Sequence, residues 1–192
     1  MDLQRRPPEP VLSRATLIVG LYGALAVAAV GIGTLRGEPF LFRQTGSTPL
    51  RMLLSPIVGL AVALAVVFVS RLCAHRFDWA RQLHRSFRAL LGSLTSRDIL
   101  ILALASSIGE ELFFRGALLP WLGLWASAGV FALLHIGPGL SYLPWTVSAF
   151  AMGLLFGVMF NIFGDLGGPI VAHFTINYLN INYITRVDLP ES

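Results

Sequence analysis

Charged and polar side chains are commonplace in water. Inside an apolar run they demand a reason. Three sets of them stand out in this chain. Glu110, Glu111 and Arg115 lie in the stretch SSIGEELFFRG. His135 closes the run WLGLWASAGVFALLH, and His173 and Asn177 lie in PIVAHFTINYL. An ionisable group at membrane depth costs several kcal/mol unless it is paired or hydrated, so these residues are functional candidates by default.

Their spacing narrows the chemistry. Glu111 and Arg115 are four residues apart, share one helix face and can pair. Glu110 is turned by about 100° from Glu111 and points elsewhere. His173 and Asn177 repeat the four-residue spacing, as do Phe131 and His135. Three helices can therefore converge on one polar site. A carboxylate in a poorly solvated pocket can take a proton from water near neutral pH and hand it to a leaving amine. His135 can hold or polarise that water. His173 and Asn177 can donate hydrogen bonds to an oxyanion. The set suffices for peptide hydrolysis without a serine or cysteine nucleophile. Ser106 and Ser107 are close by, but no G-x-S-x-G surrounds them.

Two other readings of these residues are open. Glu110, His135 and His173 would make a three-ligand zinc site with an open position, although no H-E-x-x-H is present. A water-activating glutamate with no cofactor is preferred over zinc. Singly, each residue also has a purely structural reading. Glu111 with Arg115 reads as a supporting buried ion pair, and Asn177 alone as interhelical glue.

The elements that must position these groups are membrane helices. The chain has 192 residues, 55% of them hydrophobic and only 12% charged. A soluble domain would carry about 25% charged residues. The expected fold is all-α and polytopic, with about six transmembrane helices of roughly 20 residues each. Apolar stretches run over about 15–35, 50–72, 99–119, 121–136, 143–163 and 169–184. The fourth is short for a span. Residues 1–98 are read as an N-terminal tail, two spans and a basic segment. Residues 99–186 are read as a four-helix core that carries the chemistry. Gly153 and Gly157 form a GxxxG that suits close helix packing.

The segment RLCAHRFDWARQLHRSFRALLGSLTSRD carries six arginines, with apolar residues recurring at near-helical spacing. It reads as a basic amphipathic juxtamembrane helix lying on headgroups, or as a solvated linker. His75 and His84 within it read as solvated. All basic residues of the chain are arginine, and the net charge is +4. Basic residues beside apolar runs indicate lipid contact and topology, not nucleic-acid binding. Arg5, Arg6 and Arg14 place the N-terminus on the same, cytoplasmic side as the basic segment. Cys73 is the only cysteine, so no internal disulfide forms. A retained first span is preferred over a cleaved signal peptide.

Taken together, the motifs resemble the CPBP family of intramembrane proteases, the CAAX-protease and bacteriocin-processing family also called Abi. E-E-x-x-x-R corresponds to Glu110 through Arg115, followed by Gly116. F-x-x-x-H corresponds to Phe131 through His135, and H-x-x-x-N to His173 through Asn177. The resemblance covers about residues 99–180 and takes nothing from the first 98. It implies an endopeptidase that cuts near the C-terminus of membrane-associated proteins or peptides. It assigns Glu110 to water activation, His135 to its partner, and His173 and Asn177 to the oxyanion. Glu111 and Arg115 match supporting positions.

The expected location is a bacterial inner membrane. With the basic segment inside, Glu110 lies about 12 residues, near 18 Å, along its span, past the midplane of an approximately 30 Å core. An outward-leaning site suits removal of a C-terminal sorting helix, as in the myxosortase-like branch. The alternative is a CAAX-like substrate. From a different class, a non-enzymatic bacteriocin-immunity or binding membrane protein would use the same pocket.

Overall fold

The computed structural model describes residues 13–189. Arg5 and Arg6, part of the orientation argument, lie outside that range. Seven α-helices make up the described chain: α1 (Arg14–Leu35), α2 (Pro49–Arg76), α3 (Asp78–Leu91), α4 (Ser96–Glu111), α5 (Leu119–Leu133), α6 (Leu143–Phe163) and α7 (Gly167–Arg186). A π-helical segment, Leu112–Leu118, joins α4 to α5, and a 3-10 turn, Leu140–Tyr142, precedes α6. The described residues contain no strand.

Local chemistry sets the helix ends. Ser13 and Thr48 cap α1 and α2 through their side-chain oxygens, and Pro49 occupies the first turn of α2. Thr95 and Asp98 form a reciprocal capping box at the start of α4, which satisfies two backbone donors that the helix leaves free. Gly164 ends α6 in the left-handed conformation at φ 74°, where glycine carries no Cβ penalty.

Four helical stretches are long and apolar enough to cross a membrane: Arg14–Leu35, Pro49–Arg76, Ser96–Leu133 and Leu140–Phe163. The count of six spans is therefore approximate, for two physical reasons. The expected third and fourth spans fuse into one helical stretch through the π-helical segment, and the chain turns back only at Gly123, whose φ is 78°. The sixth, α7, is 20 residues long but holds His173, three asparagines and Arg186. Large apolar side chains on α1 and α2, among them Leu21, Val27 and Phe68, are exposed. On a membrane protein those are lipid-facing positions.

Close contacts give the helix directions. A Cβ on Gly153 would meet Ala128, and one on Gly157 would meet Leu124 and Leu119. The pairs run in opposite senses, so α5 and α6 are antiparallel, and the GxxxG glycines form their seam. Ser106–Asn177 and Glu111–His173 contacts make α4 and α7 antiparallel. Ser55 meets Gly168 and Ser70 meets Asn180, so α2 and α7 are parallel. Helix α1 packs against α4 and the π-helical segment.

Each end of the bundle is tied. At one end the loop after α1 pairs with the α6–α7 turn, through Gln44 N–H to Gly164 O at 2.8 Å and Leu166 N–H to Phe42 O at 2.9 Å. Gly116 is glycine there because a Cβ would stand 2.9 Å from that of Leu41. At the other end the basic segment is helical as α3, and it packs on α2, α6 and α7. His84 is buried, not solvated as its sequence context suggests. Its Nε2–H donates to Val187 O at 2.9 Å, because the end of α7 covers it. Arg14 donates to Ser93 O at 2.7 Å, so the start of α1 lies at the α3 end.

Candidate active site

The two carboxylates at the α4 to π-helix junction have opposite surroundings. Glu111 is fully buried. Its Oε1 accepts from Arg115 Nη1 at 2.8 Å and from His173 Nδ1–H at 2.7 Å. Arg115 also donates from Nη2 to Gly153 O at 3.3 Å and lies over the rings of Phe131 and Phe156, 4.6 and 5.2 Å from their centroids. A planar guanidinium can bond at its edge and stack on its face at once, which lysine cannot do. Arg115 is thus enclosed by one carboxylate, backbone oxygen and aromatic faces.

Glu110 points away from that network. Its Oε2 is buried and has no hydrogen-bond partner. Two imidazole nitrogens face it, His135 Nε2 at 3.8 Å and His173 Nε2 at 3.9 Å. Both separations exceed a direct N–H···O hydrogen bond and suit a bridging water. The tautomers follow from the other ring nitrogens. His135 Nδ1–H donates to Phe131 O at 2.7 Å, and His173 Nδ1–H donates to Glu111. In the neutral rings both Nε2 atoms are then acceptors, like the Glu110 oxygen. Three acceptors facing one gap call for something that brings protons or positive charge.

Each ring is held from several sides. Phe131 lies 4.3 Å from the His135 ring and Trp145 lies 5.1 Å away, edge to face. Thr146 donates to His135 O at 2.8 Å. Phe156 lies 5.7 Å from the His173 ring. Asn177, one turn after His173, donates from Nδ2 to Ser106 Oγ at 3.0 Å. Ser106 itself donates to Ala103 O. Its hydroxyl is thereby engaged as a support for Asn177, and Ser107 turns to its own helix at Leu104 O.

Sequence reasoning missed three of these links. It paired Glu111 with Arg115 alone and gave His173 to the oxyanion, whereas His173 bonds Glu111 through one nitrogen and faces Glu110 with the other. It did not foresee Ser106 as the partner of Asn177. It also placed nothing from α1 at the site, yet Tyr22 crosses α4 at Gly109, beside Glu110. A tyrosine deep in an apolar run was the available signal.

Glu110, His135 and His173, the alternative zinc ligands, are spaced more widely than a bound tetrahedral ion holds its ligands. Tetrahedral zinc at about 2.0–2.2 Å from N and O ligands holds them roughly 3.4 Å apart. Here Glu110 Oε2 stands 3.8 and 3.9 Å from the two imidazoles. Among the described residues no group of three His, Cys, Asp or Glu is placed to hold a metal ion.

Fold and site together define a class: a helical integral membrane protein with a glutamate–histidine site enclosed by its helices. Comparison adds a family match over part of the chain. Residues 92–179 match the family described as Type II CAAX prenyl endopeptidase Rce1-like. That stretch is a little under half of the chain and holds Glu110, Glu111, Arg115, His135, His173 and Asn177. The match agrees with the family resemblance carried by the three motifs. The chain is also similar to an uncharacterised protein, YpbD, of Bacillus subtilis (strain 168), at 35% identity over 79 residues. The aligned part is 41% of this chain and 41% of YpbD, so the chain spans about two fifths of that relative's length. No solved structure matches.

Proposed function

We propose that this protein is an intramembrane endopeptidase that hydrolyses a peptide bond near the C-terminus of a membrane-anchored protein. The observation that carries the proposal is the unpartnered, buried Glu110 Oε2 between the Nε2 atoms of His135 and His173. A water held there donates one proton to Glu110 and the other toward His135 Nε2. Glu110 takes its proton as the water oxygen attacks the scissile carbonyl. The resulting oxyanion accepts from the second Nδ2–H of Asn177, the first being engaged by Ser106, and from His173 when its Nε2 is protonated. Glu110 then passes its proton to the departing amine, the C–N bond breaks, and a carboxylic acid and an amine remain. Glu111 and Arg115 touch no reacting atom in this scheme. They fix His173 through its Nδ1–H.

The water-based route needs no metal. A substrate with a C-terminal sorting helix, as in the myxosortase-like branch, is preferred over a CAAX-like one. Two placements support this. The start of α1 and all of α3 share one end, the cytoplasmic one by their arginines. His173 stands only six residues into α7, toward the opposite end. The N-terminus is accordingly cytoplasmic, in a bacterial inner membrane.

The test is cleavage by the full chain in liposomes of a reporter that ends in one apolar span, with the released peptide identified by mass spectrometry. Glu110→Gln should insert and fold as wild type and lose turnover by about 10³-fold or more. Full function in Glu110→Gln would sink the enzymatic reading and favour a binding protein, such as an immunity factor.

A further inference from the structure

Between Thr16 and Thr34, helix α1 holds a single side chain able to hydrogen-bond, Tyr22. Tyrosines of membrane helices gather at the two interfaces, where the hydroxyl reaches water. Tyr22 does not fit that habit. It lies eight residues past the start of α1 and thirteen before its end, about 12 Å and 20 Å along the axis. A phenolic hydroxyl at that depth needs a partner inside the protein.

The packing supplies one. Gly109 is glycine where α1 crosses α4, because a Cβ there would stand 2.8 Å from Tyr22 O and 3.0 Å from Tyr22 Cβ. The next residue is Glu110. The close crossing sets Tyr22 beside the residue that precedes Glu110, with its phenol within electrostatic reach of the Glu110 carboxylate, while the histidines approach the same group from α5 and α7. Glu110 is thus faced by Tyr22, His135 and His173 from three neighbouring helices. The nearest charges on its own helix, Glu111 and Arg115, are engaged with each other.

We propose that Tyr22 is a positioning residue of the site, whose hydroxyl donates to Glu110 and aims the free carboxylate oxygen at the gap between His135 and His173. The inference rests on the reading of Glu110 as the general base. It extends the site to a helix outside the family-matched stretch of residues 92–179. It also gives the glycine at 109 a functional reason, since a larger residue would push α1 off the carboxylate.

Tyr22→Phe removes the hydroxyl and keeps the ring, so packing is preserved. In the liposome assay it should lower kcat by about 10- to 100-fold, the worth of a hydrogen bond to a charged group, with KM and Tm unchanged. A second readout needs no substrate: labelling of Glu110 by dicyclohexylcarbodiimide, followed by mass spectrometry of the full chain. The donated hydrogen bond shields the carboxylate, so Tyr22→Phe should be labelled several-fold faster than wild type, and Glu110→Gln not at that position. Wild-type kcat in Tyr22→Phe, or an unchanged labelling rate, overturns the proposal. If Glu110→Gln is inactive while Tyr22→Phe matches wild type, only the tyrosine's role fails. If Glu110→Gln is itself fully active, the reading of the site fails.

Discussion

The side of α4 that holds Glu111 and the side that holds Glu110 begin one residue apart and end in opposite states. On the first side the charges and most polar atoms close on each other: carboxylate on guanidinium, guanidinium on backbone carbonyl and aromatic faces, imidazole N–H on carboxylate. On the second, a carboxylate oxygen and two imidazole nitrogens face a gap with no protein donor between them. A closed network of this kind rigidifies a core and contributes geometry. An open one is costly in hydrocarbon unless water or substrate completes it. The contrast teaches how a membrane protein can keep one reactive group available: it pairs the neighbouring carboxylate with a cation through Oε1, leaving only its Oε2 without a partner, and gives Glu110 no cation, only acceptors across a gap. His173 is the joint between the two sides, bonded to one through Nδ1 and facing the other with Nε2.

The sharpest way to break the contrast is to act on each side separately. Glu110→Gln should lower cleavage by about 10³-fold or more while leaving the Tm of the purified protein within a degree or two of wild type, because no ion pair is lost. Arg115→Met should do the reverse in kind. Removing one partner of a buried pair costs about 3–5 kcal/mol, so the expected readout is a large loss of Tm and of folded protein in the membrane. A stable Arg115→Met variant would mean that the Glu111 side is not the structural one.

A smaller effect sharpens the comparison from outside the membrane. Burial holds the His84 imidazole below its ordinary value. The bond to Val187 O pulls the other way, and the Arg88 and Arg71 cations add to the depression. Because the folded value is the depressed one, the neutral form is favoured in the native state. The contribution to stability is therefore complete above the unfolded value of about 6.5 and is lost as pH falls below it. The expected result is a Tm that drops by a few degrees below about pH 6 and a weaker drop in His84→Gln, read by thermal scans of the two proteins. The smallest expected effect is that of a chelator. 1,10-Phenanthroline should leave cleavage within about twofold of the untreated rate, since the Glu110 side is wider than a tetrahedral zinc site. A loss restored by added zinc would contradict the water-only route.

Much of the fold was legible because membrane helices announce themselves by run length, and the bounds of α6 and of α1 come directly from their apolar stretches. The Glu111–Arg115 pair was legible for the same reason, being a local relation on one helix. The hidden relations needed packing. The fusion of two expected spans depends on a π-helical segment that no simple period reports. The bond between His173 and Glu111 joins positions 62 residues apart, and Ser106 and Asn177 are 71 apart. Spacing along one helix cannot say which of two adjacent carboxylates a distant histidine will choose. Tyr22 stood out by its depth in an apolar run, but it lies outside every motif, and only the packing of α1 on α4 at Gly109 links it to Glu110.

The π-helical segment Leu112–Leu118 has a consequence for tolerance to insertion and deletion. A π turn closes its hydrogen bonds one residue later than an α turn, so this stretch holds a phase offset between α4 and α5. Glu110 and Glu111 sit before the offset and Arg115 within it; α5 with Phe131 and His135 comes after. Removing one residue here would restore a continuous α-helix and turn the stretch up to the reversal at Gly123 by about 100° relative to α4. The returning part of α5, with Phe131 and His135, would be swung away from its present place beside Glu110, with every motif residue still present in the sequence. The distance between the first two motifs is thus a clock setting for the helix, and it tolerates substitution far better than a change in length.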